Sequence, residues 1–234
     1  MIGRRASVAL ACAALLLLAF VGAPKRQDSQ VVLDEYVRAM DSLSMPTASI
    51  CNYSISQAGP IQIDQQHLLY RQGDLVRDTL LSSQGIPVHE KAILIAHRAN
   101  RYAIDRLAPT LHDYEVLFLS AHKVGANFQY RYQATALAPT ARFSITGFTI
   151  VSGRFLPSAI AFTSSGGGAE GHGAILYHAA GRYWVPYEVY VTGSLHGKPA
   201  NERITWSNCR FPRSLPETTF RVPRPLPSAT LPPI

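Results

Sequence analysis

The feature that most constrains the fold is a run of about a dozen short β-strand patterns between Ala48 and Phe211, with one helical pattern ahead of it. Consecutive strands without helical crossovers pair antiparallel, and such a sheet curls into a barrel or packs as a sandwich. A barrel either fills its interior with side chains or keeps it open for an apolar ligand. The pattern therefore predicts a mainly β protein whose function depends on that interior.

The predicted strands alternate apolar and polar residues and are separated by turns that contain glycine. Residues 92–96 and 114–120 are the most continuously apolar, so we expect both faces of these strands to be covered. The predicted strands span residues 49–56, 67–71, 75–81, 91–97, 101–105, 114–120, 127–137, 141–151, 157–163, 174–178, 182–190 and 202–211.

The helical pattern covers residues 28–43. Asp28 or Ser29 can cap its N-terminus, and Pro46 stops it. Its apolar residues recur at three- and four-residue steps, which predicts an amphipathic helix that covers part of the sheet. These residues are Val32, Tyr36, Met40 and Leu43.

The N-terminus has the composition of a signal peptide. Arg4 and Arg5 precede an apolar run over residues 8–21, and Val21-Gly22-Ala23 offers the small residues of a cleavage site. We expect residues 1–23 to be a signal peptide that directs export to the periplasm or cell envelope. Because Pro24 follows the cleavage site, an uncleaved N-terminal anchor is the alternative.

The rest of the chain is long enough for one domain with a sizeable core, which we place at residues 24–211. Residues 212–234 lose all periodicity and are rich in proline, so we expect a flexible tail. The formal net charge of +7 is scattered, with no run of like charges. Together with export, this pattern argues against nucleic acid as a partner.

Cys51 and Cys209 are the cysteines that remain after residue 23. Two cysteines in an oxidising compartment, one in the first predicted strand and one in the last, favour a disulfide between the chain's two ends. Two unrelated buried thiols are the alternative.

No catalytic or cofactor motif stands out. Residues 166–171 match G-x-G-x-x-G, but a short strand pattern follows where a dinucleotide site needs a helix, so we expect a glycine-rich hairpin loop. The eight histidines show no metal-binding spacing. We therefore expect no catalytic residue, metal or cofactor. One alternative function is that of an enzyme whose active site is assembled from His172, Glu170 and Asp113.

The most apolar strands supply the candidate ligand-binding residues, because alternate residues of a strand face the interior. A one-residue shift of register exchanges the two faces, which leaves Leu69, Leu94, Leu117 and Leu119 as the alternative set. The candidates are Leu68, Tyr70, Ile93, Ile95, Val116 and Phe118.

The order of elements resembles the LolA/LolB/RseB superfamily of exported lipoprotein carriers and their sorting-protein relatives. Residues 35–53 are similar to its first helix and strand, and residues 92–105 to an apolar strand, a short turn and an aromatic strand. Residues 69–77 resemble a strand with a basic turn, and residues 181–211 a late hairpin with a Val-Pro step. Residues 106–113 are long enough only for a short lid segment.

This resemblance implies an unclosed antiparallel β-barrel with an apolar concave face, and a basic latch at Arg71 or Arg77. It also implies a non-enzymatic, monomeric carrier that binds lipid or the acyl chains of lipoproteins. Contact with an envelope protein or peripherally with a membrane is compatible with that role. Another alternative function is that of a structural or regulatory module that binds envelope proteins and whose barrel interior is filled with side chains.

Overall fold

The structure is a computed structural model that describes residues 26–89, 92–138 and 142–221. The predicted signal peptide lies outside the described residues, as does the end of the predicted tail, residues 222–234. No helix among the described residues is long and apolar enough to cross a membrane.

Helix α1 spans Ser29–Asp41, close to the predicted range. The Asp28 side chain accepts a hydrogen bond of 2.8 Å from the backbone N–H of Gln30, which caps the first turn. Val32 and Tyr36 are almost completely buried, and Met40 and Leu43 pack against the same core. The predicted apolar stripe is therefore the packing face of the helix.

Twelve strands account for most of the remaining chain, and all of them belong to one antiparallel sheet. The predicted 101–105 strand is absent, whereas the late strands are longer than predicted. The strands are β1 (Ala48–Ala58), β2 (Ile63–Gln72), β3 (Leu75–Ser83), β4 (Ile86–Pro87), β5 (Ile93–His97), β6 (Tyr114–Val124), β7 (Asn127–Ala136), β8 (Phe143–Val151), β9 (Pro157–Gly166), β10 (Ala169–Ala180), β11 (Tyr183–Leu195) and β12 (Lys198–Arg210).

The sheet is not closed. Its order is β4-β3-β2-β1-β12-β11-β10-β9-β8-β7-β6, with β5 also paired to β3. The first and last long strands, β1 and β12, therefore lie side by side in the middle. Among the described strands, β6 pairs only with β7, so the edges at β4–β5 and at β6 do not meet. This arrangement confirms the predicted unclosed antiparallel β-barrel.

The chain between β5 and β6 crosses the concave face from one free edge to the other. Residues 101–105, predicted to be a strand, instead form a turn that leads into the one-turn helix α2, Ile104–Leu107. The Tyr102 N–H donates to the Asn100 side chain, and its carbonyl accepts a hydrogen bond of 3.1 Å from the Tyr177 hydroxyl. This crossing segment has no neighbouring strand among the described residues, so the backbone groups of Tyr102 form hydrogen bonds with side chains instead.

Helix α1 packs inside the curve of the sheet against β7 and β8. The rings of Tyr36 and Phe148 lie 5.3 Å apart, and Phe148 stacks on Tyr132 at 5.2 Å. The Tyr132 hydroxyl donates a hydrogen bond of 2.9 Å to the Ser29 carbonyl. The helix therefore fills the concave face on the β6–β8 side and marks that face as the interior.

Cys51 and Cys209 form a disulfide, as predicted. The two residues lie on the paired strands β1 and β12 and are 158 residues apart in the chain. The bond therefore links the first long strand of the chain to the last, where the two strands lie side by side in the middle of the sheet.

Residues 212–221, the described part of the predicted tail, lie against the sheet. The Leu215 N–H donates a hydrogen bond of 2.7 Å to the Gln72 side chain, and Arg77 donates one of 2.9 Å to the Thr219 carbonyl. A 3-10 helix spans Glu217–Phe220. The domain boundary at residue 211 stays a prediction.

Candidate functional site

A row of small residues faces inward where four adjacent strands meet. Gly171 on β10 pairs with Gly193 on β11, and these glycines pair in turn with Ser164 on β9 and Ala200 on β12. Residues that pair across antiparallel strands share one face. A Cβ atom at Gly193 would lie 2.0 Å from the Glu170 carbonyl oxygen, so the strands approach too closely for a side chain there. The row leaves the concave face unfilled at this end.

The first cavity occupies the space above this row and has a volume of about 710 Å³. Ile175 and Val189 form its inner end, and α2 contributes Leu107. At its mouth Ile61 is 53% exposed and Phe143 is 37% exposed. Further apolar residues that line it are Ile63, Phe162, Val191 and Leu195.

The charged residues that line the first cavity are Arg101, Glu170 and Glu202. Glu170 lies in the small-residue end, beside the β9–β10 hairpin, and Glu202 lies on β12. Glu202 pairs with the inward-facing Val191, whereas Glu170 pairs with Ser165 and Ser194 on the opposite face from Gly171. One carboxylate and one guanidinium thus accompany an otherwise mainly apolar lining.

A second cavity of about 560 Å³ lies on the other side of the crossing segment. Cys51 and Tyr53 on β1 and Leu69 and Val76 on β2 and β3 form part of its wall. Arg101 and Tyr102 line both cavities. The crossing segment therefore divides the concave face into two compartments, and the barrel interior is not filled by side chains.

Arg71 holds this dividing segment to the sheet. Its Nη1 donates a hydrogen bond of 2.6 Å to the Arg98 carbonyl, and burial lowers the pKa of Arg71, an effect that the charge of Asp74 opposes. A latch at Arg71 was predicted from the family resemblance. Arg77, the other predicted latch, instead points to the outer face and binds Thr219.

A polar cluster on β1, β2 and β3 borders the second cavity. Asp78 accepts a hydrogen bond from the Tyr53 hydroxyl and lies 2.9 Å from His67 Nδ1, and the rings of Tyr53 and His67 stack at 4.5 Å. Burial raises the pKa of Tyr53, and the hydrogen bond and charge of Asp78 raise it further. Arg98 and Arg101 lower the pKa of Tyr53.

The structure places the β6 candidates in the interior. Val116 and Phe118 pack against the core, and the Phe118 ring lies 5.7 Å from that of Tyr132. The alternative residues Leu117 and Leu119 are 60% and 51% exposed on the outer face.

The candidates on β2 and β5 have the opposite register. Leu69 pairs with Asp78, which pairs with Leu94, so this row shares the concave face. Tyr70 pairs with Arg77 and Arg77 with Ile95, and this row lies on the outer face together with Leu68 and Ile93. None of the six leading candidates lines either cavity, whereas Leu69 and Arg71 line the second. Whether any of them binds a ligand stays a prediction.

The residues that form the first cavity were not identified from the sequence. An isolated glycine within a strand pattern is the signal for a close backbone approach, and Gly193 fits it. Gly171 was assigned to a hairpin loop and Gly193 to a turn. Both lie inside long strands, and only Gly167 and Gly168 form the β9–β10 turn.

The three residues of the enzyme alternative do not line one cavity together, although Glu170 and His172 lie two positions apart on β10. Glu170 lines the first cavity, whereas Asp113 accepts a hydrogen bond of 2.6 Å from the Thr110 hydroxyl. His172 lines neither cavity. Within the described ranges, no group of three or more His, Cys, Asp or Glu residues could hold a metal ion.

Comparison with known proteins identifies similar solved structures. A LolA superfamily protein from Nitrosomonas europaea is 13% identical, with a TM-score of 0.42, and the match covers 84% of this chain and 99% of that chain. A domain from Vibrio parahaemolyticus named for outer membrane lipoprotein sorting is 11% identical, with a TM-score of 0.45 and coverage of 82% and 97%. A DUF1329 family protein from Desulfovibrio piger is 12% identical, with a TM-score of 0.43 and coverage of 84% and 98%.

No protein-family model matches the chain, and no curated protein matches it. The superfamily named for the Nitrosomonas europaea protein is the one that the sequence resembles.

Proposed function

We propose that this protein is an exported, non-enzymatic carrier that holds an acyl chain of a lipid or lipoprotein in the first cavity. The supporting observation is the cavity of about 710 Å³ on the concave face, lined mainly by apolar side chains and kept open by small inward-facing residues. Ligand sites in proteins commonly have volumes of about 300–1,000 Å³.

The expected driving force is the transfer of methylene groups out of water, about 0.8 kcal/mol for each one buried. Ten methylenes would contribute about 8 kcal/mol before the cost of immobilising the chain is subtracted. The exposed Ile61 and Phe143 at the mouth give the chain an apolar path into the cavity.

This function requires the protein to lie where lipids and lipoproteins are transferred. The apolar segment behind Arg4 and Arg5 supports export to the periplasm or cell envelope. We propose that the carrier acts as a monomer, contacts the membrane or an envelope protein peripherally, and needs no cofactor.

The test is native mass spectrometry of the full chain, expressed with its own N-terminus and purified without detergent. We expect adducts whose masses match lipids found by organic extraction of the same sample. An adduct-free protein that also fails to bind an apolar fluorescent probe would contradict the proposed function.

A further inference from the structure

The charged residues of the second cavity are mainly arginines. Arg71, Arg98 and Arg101 line it, and Asp78 is the carboxylate among its lining residues. Arginine presents planar N–H groups that match the geometry of phosphate and carboxylate oxygens. The composition of this cavity thus favours an anion.

The three guanidinium groups have no ion-pair partner among residues 26–89, 92–138 and 142–221. No carboxylate oxygen lies within 4.0 Å of them, and Asp78 is already bound by Tyr53 and His67. Asp74 acts on Arg71 only at longer range. Since a guanidinium has five N–H donors, the two bonds of Arg71 to the Arg98 and Gly73 carbonyls leave donors unused.

Two of these positive charges act on the interior of the cavity. The Tyr53 hydroxyl lies on its wall, and the charges of Arg98 and Arg101 favour the ionised form of that hydroxyl. Arg101 also lies over the Tyr102 ring, with its guanidinium carbon 4.8 Å from the ring centroid. Both guanidinium groups thus belong to the crossing segment, on the side that borders the second cavity.

The first cavity lacks this excess of positive charge. Glu202 pairs with the inward-facing Val191 and lines it together with Arg101, so an anionic group would meet a carboxylate there as well as one guanidinium. An amphiphile with an anionic headgroup would therefore be bound with its chain in the first cavity and its headgroup in the second. Tyr102, which lines both cavities, lies at the junction.

We propose that the second cavity binds the anionic headgroup, a phosphate or a carboxylate, of the amphiphile whose chain occupies the first cavity. This inference rests on the proposed function, because it assigns the class of lipid to the same concave face.

The experiment compares two oleoyl ligands with the same chain, lysophosphatidate and monoolein, by calorimetric titration of the full chain below their micelle concentrations. We expect lysophosphatidate to bind at least tenfold more tightly. In Arg98→Gln/Arg101→Gln that preference should fall to about threefold or less, because the change removes two of the three guanidinium groups and leaves Arg71. The hydrogen bond from Arg71 is retained, since it goes to the backbone of residue 98.

The matched control is Arg131→Gln/Arg210→Gln, which removes the same charge from two exposed residues that line neither cavity. It should keep the preference for lysophosphatidate. Equal affinities of the wild-type protein for the two ligands would overturn the headgroup assignment and leave the proposed function standing. Failure of both ligands to bind would overturn both.

A third arm titrates inorganic phosphate to separate a lipid headgroup from a free anion. We expect phosphate alone to bind at least a hundredfold more weakly than lysophosphatidate, because it lacks the chain. Binding of phosphate as tight as that of lysophosphatidate, lost in Arg98→Gln/Arg101→Gln, would contradict a lipid headgroup as the occupant.

Discussion

Arg71 on β2 and Arg98 on the crossing segment are joined by a hydrogen bond of 2.6 Å from a guanidinium to a backbone carbonyl, across 27 residues of chain. This bond ties the segment that separates the two cavities to the wall of the sheet. Hydrogen bonds from charged groups stabilise folded proteins by about 1.5–3 kcal/mol, more than neutral ones. The position of the dividing segment thus depends on Arg71.

Replacing Arg71 by methionine should loosen residues 98–103. We expect faster amide hydrogen exchange there and a loss of about 1–2 kcal/mol in the free energy of unfolding. The matched control is Arg77→Met, which removes the bond to Thr219 on the other face and should affect residues 215–220 instead. Unchanged exchange at residues 98–103 in Arg71→Met would show that Arg71 does not hold the segment.

Reduction of the disulfide between Cys51 and Cys209 should destabilise the protein substantially. The bond closes a loop with a sequence separation of 158 residues, and the chain-entropy model gives about 5 kcal/mol for a loop of that size. Denaturant unfolding of the oxidised protein, the reduced protein and Cys51→Ser/Cys209→Ser measures this difference. Equal unfolding midpoints in all three samples would be inconsistent with this role.

The buried tyrosines should make the fold sensitive to alkaline pH. Burial raises the pKa values of Tyr36, Tyr132 and Tyr177, and each hydroxyl donates to a backbone carbonyl. The folded state therefore keeps protons that the unfolded state loses near pH 10. The stabilisation is fully present below about pH 10 and falls as the pH rises above that value.

Chemical unfolding from about pH 8 to pH 12, with tyrosinate absorbance as a second probe, checks this dependence. The free energy of unfolding should decline above about pH 10, and the buried tyrosines should ionise only as the protein unfolds. A free energy of unfolding that stays constant across this range would contradict it.

The sequence predicted the class of fold well because local patterns determine it. The caps and apolar stripe of α1 and the alternation along β1 and β7 are local signals, and the structure has these elements close to the predicted bounds. The disulfide was also predicted, since β1 and β12 contain the two cysteines that follow the N-terminal segment.

The identity of the concave residues could not be read from alternation alone. On β2 both faces carry apolar residues, because the segment around Thr219 covers the outer face of β3 while Leu69 faces the second cavity. Irregularities in strand pairing, such as the one between Phe118 and Ser120, also shift the alternation within a strand. Residues 101–105 have a strand-like composition, but they cross the sheet where they have no strand partner.

The most direct test of the account is acyl-chain binding by Ser164→Leu, measured by titration with a fluorescent fatty acid. Ser164 lines the first cavity in the small-residue row, and Thr163→Leu, at an exposed neighbour that lines neither cavity, is the control. We predict that Ser164→Leu weakens binding at least tenfold, while Thr163→Leu binds like the wild-type protein. Wild-type affinity in a folded Ser164→Leu variant would contradict the claim that the first cavity holds the acyl chain.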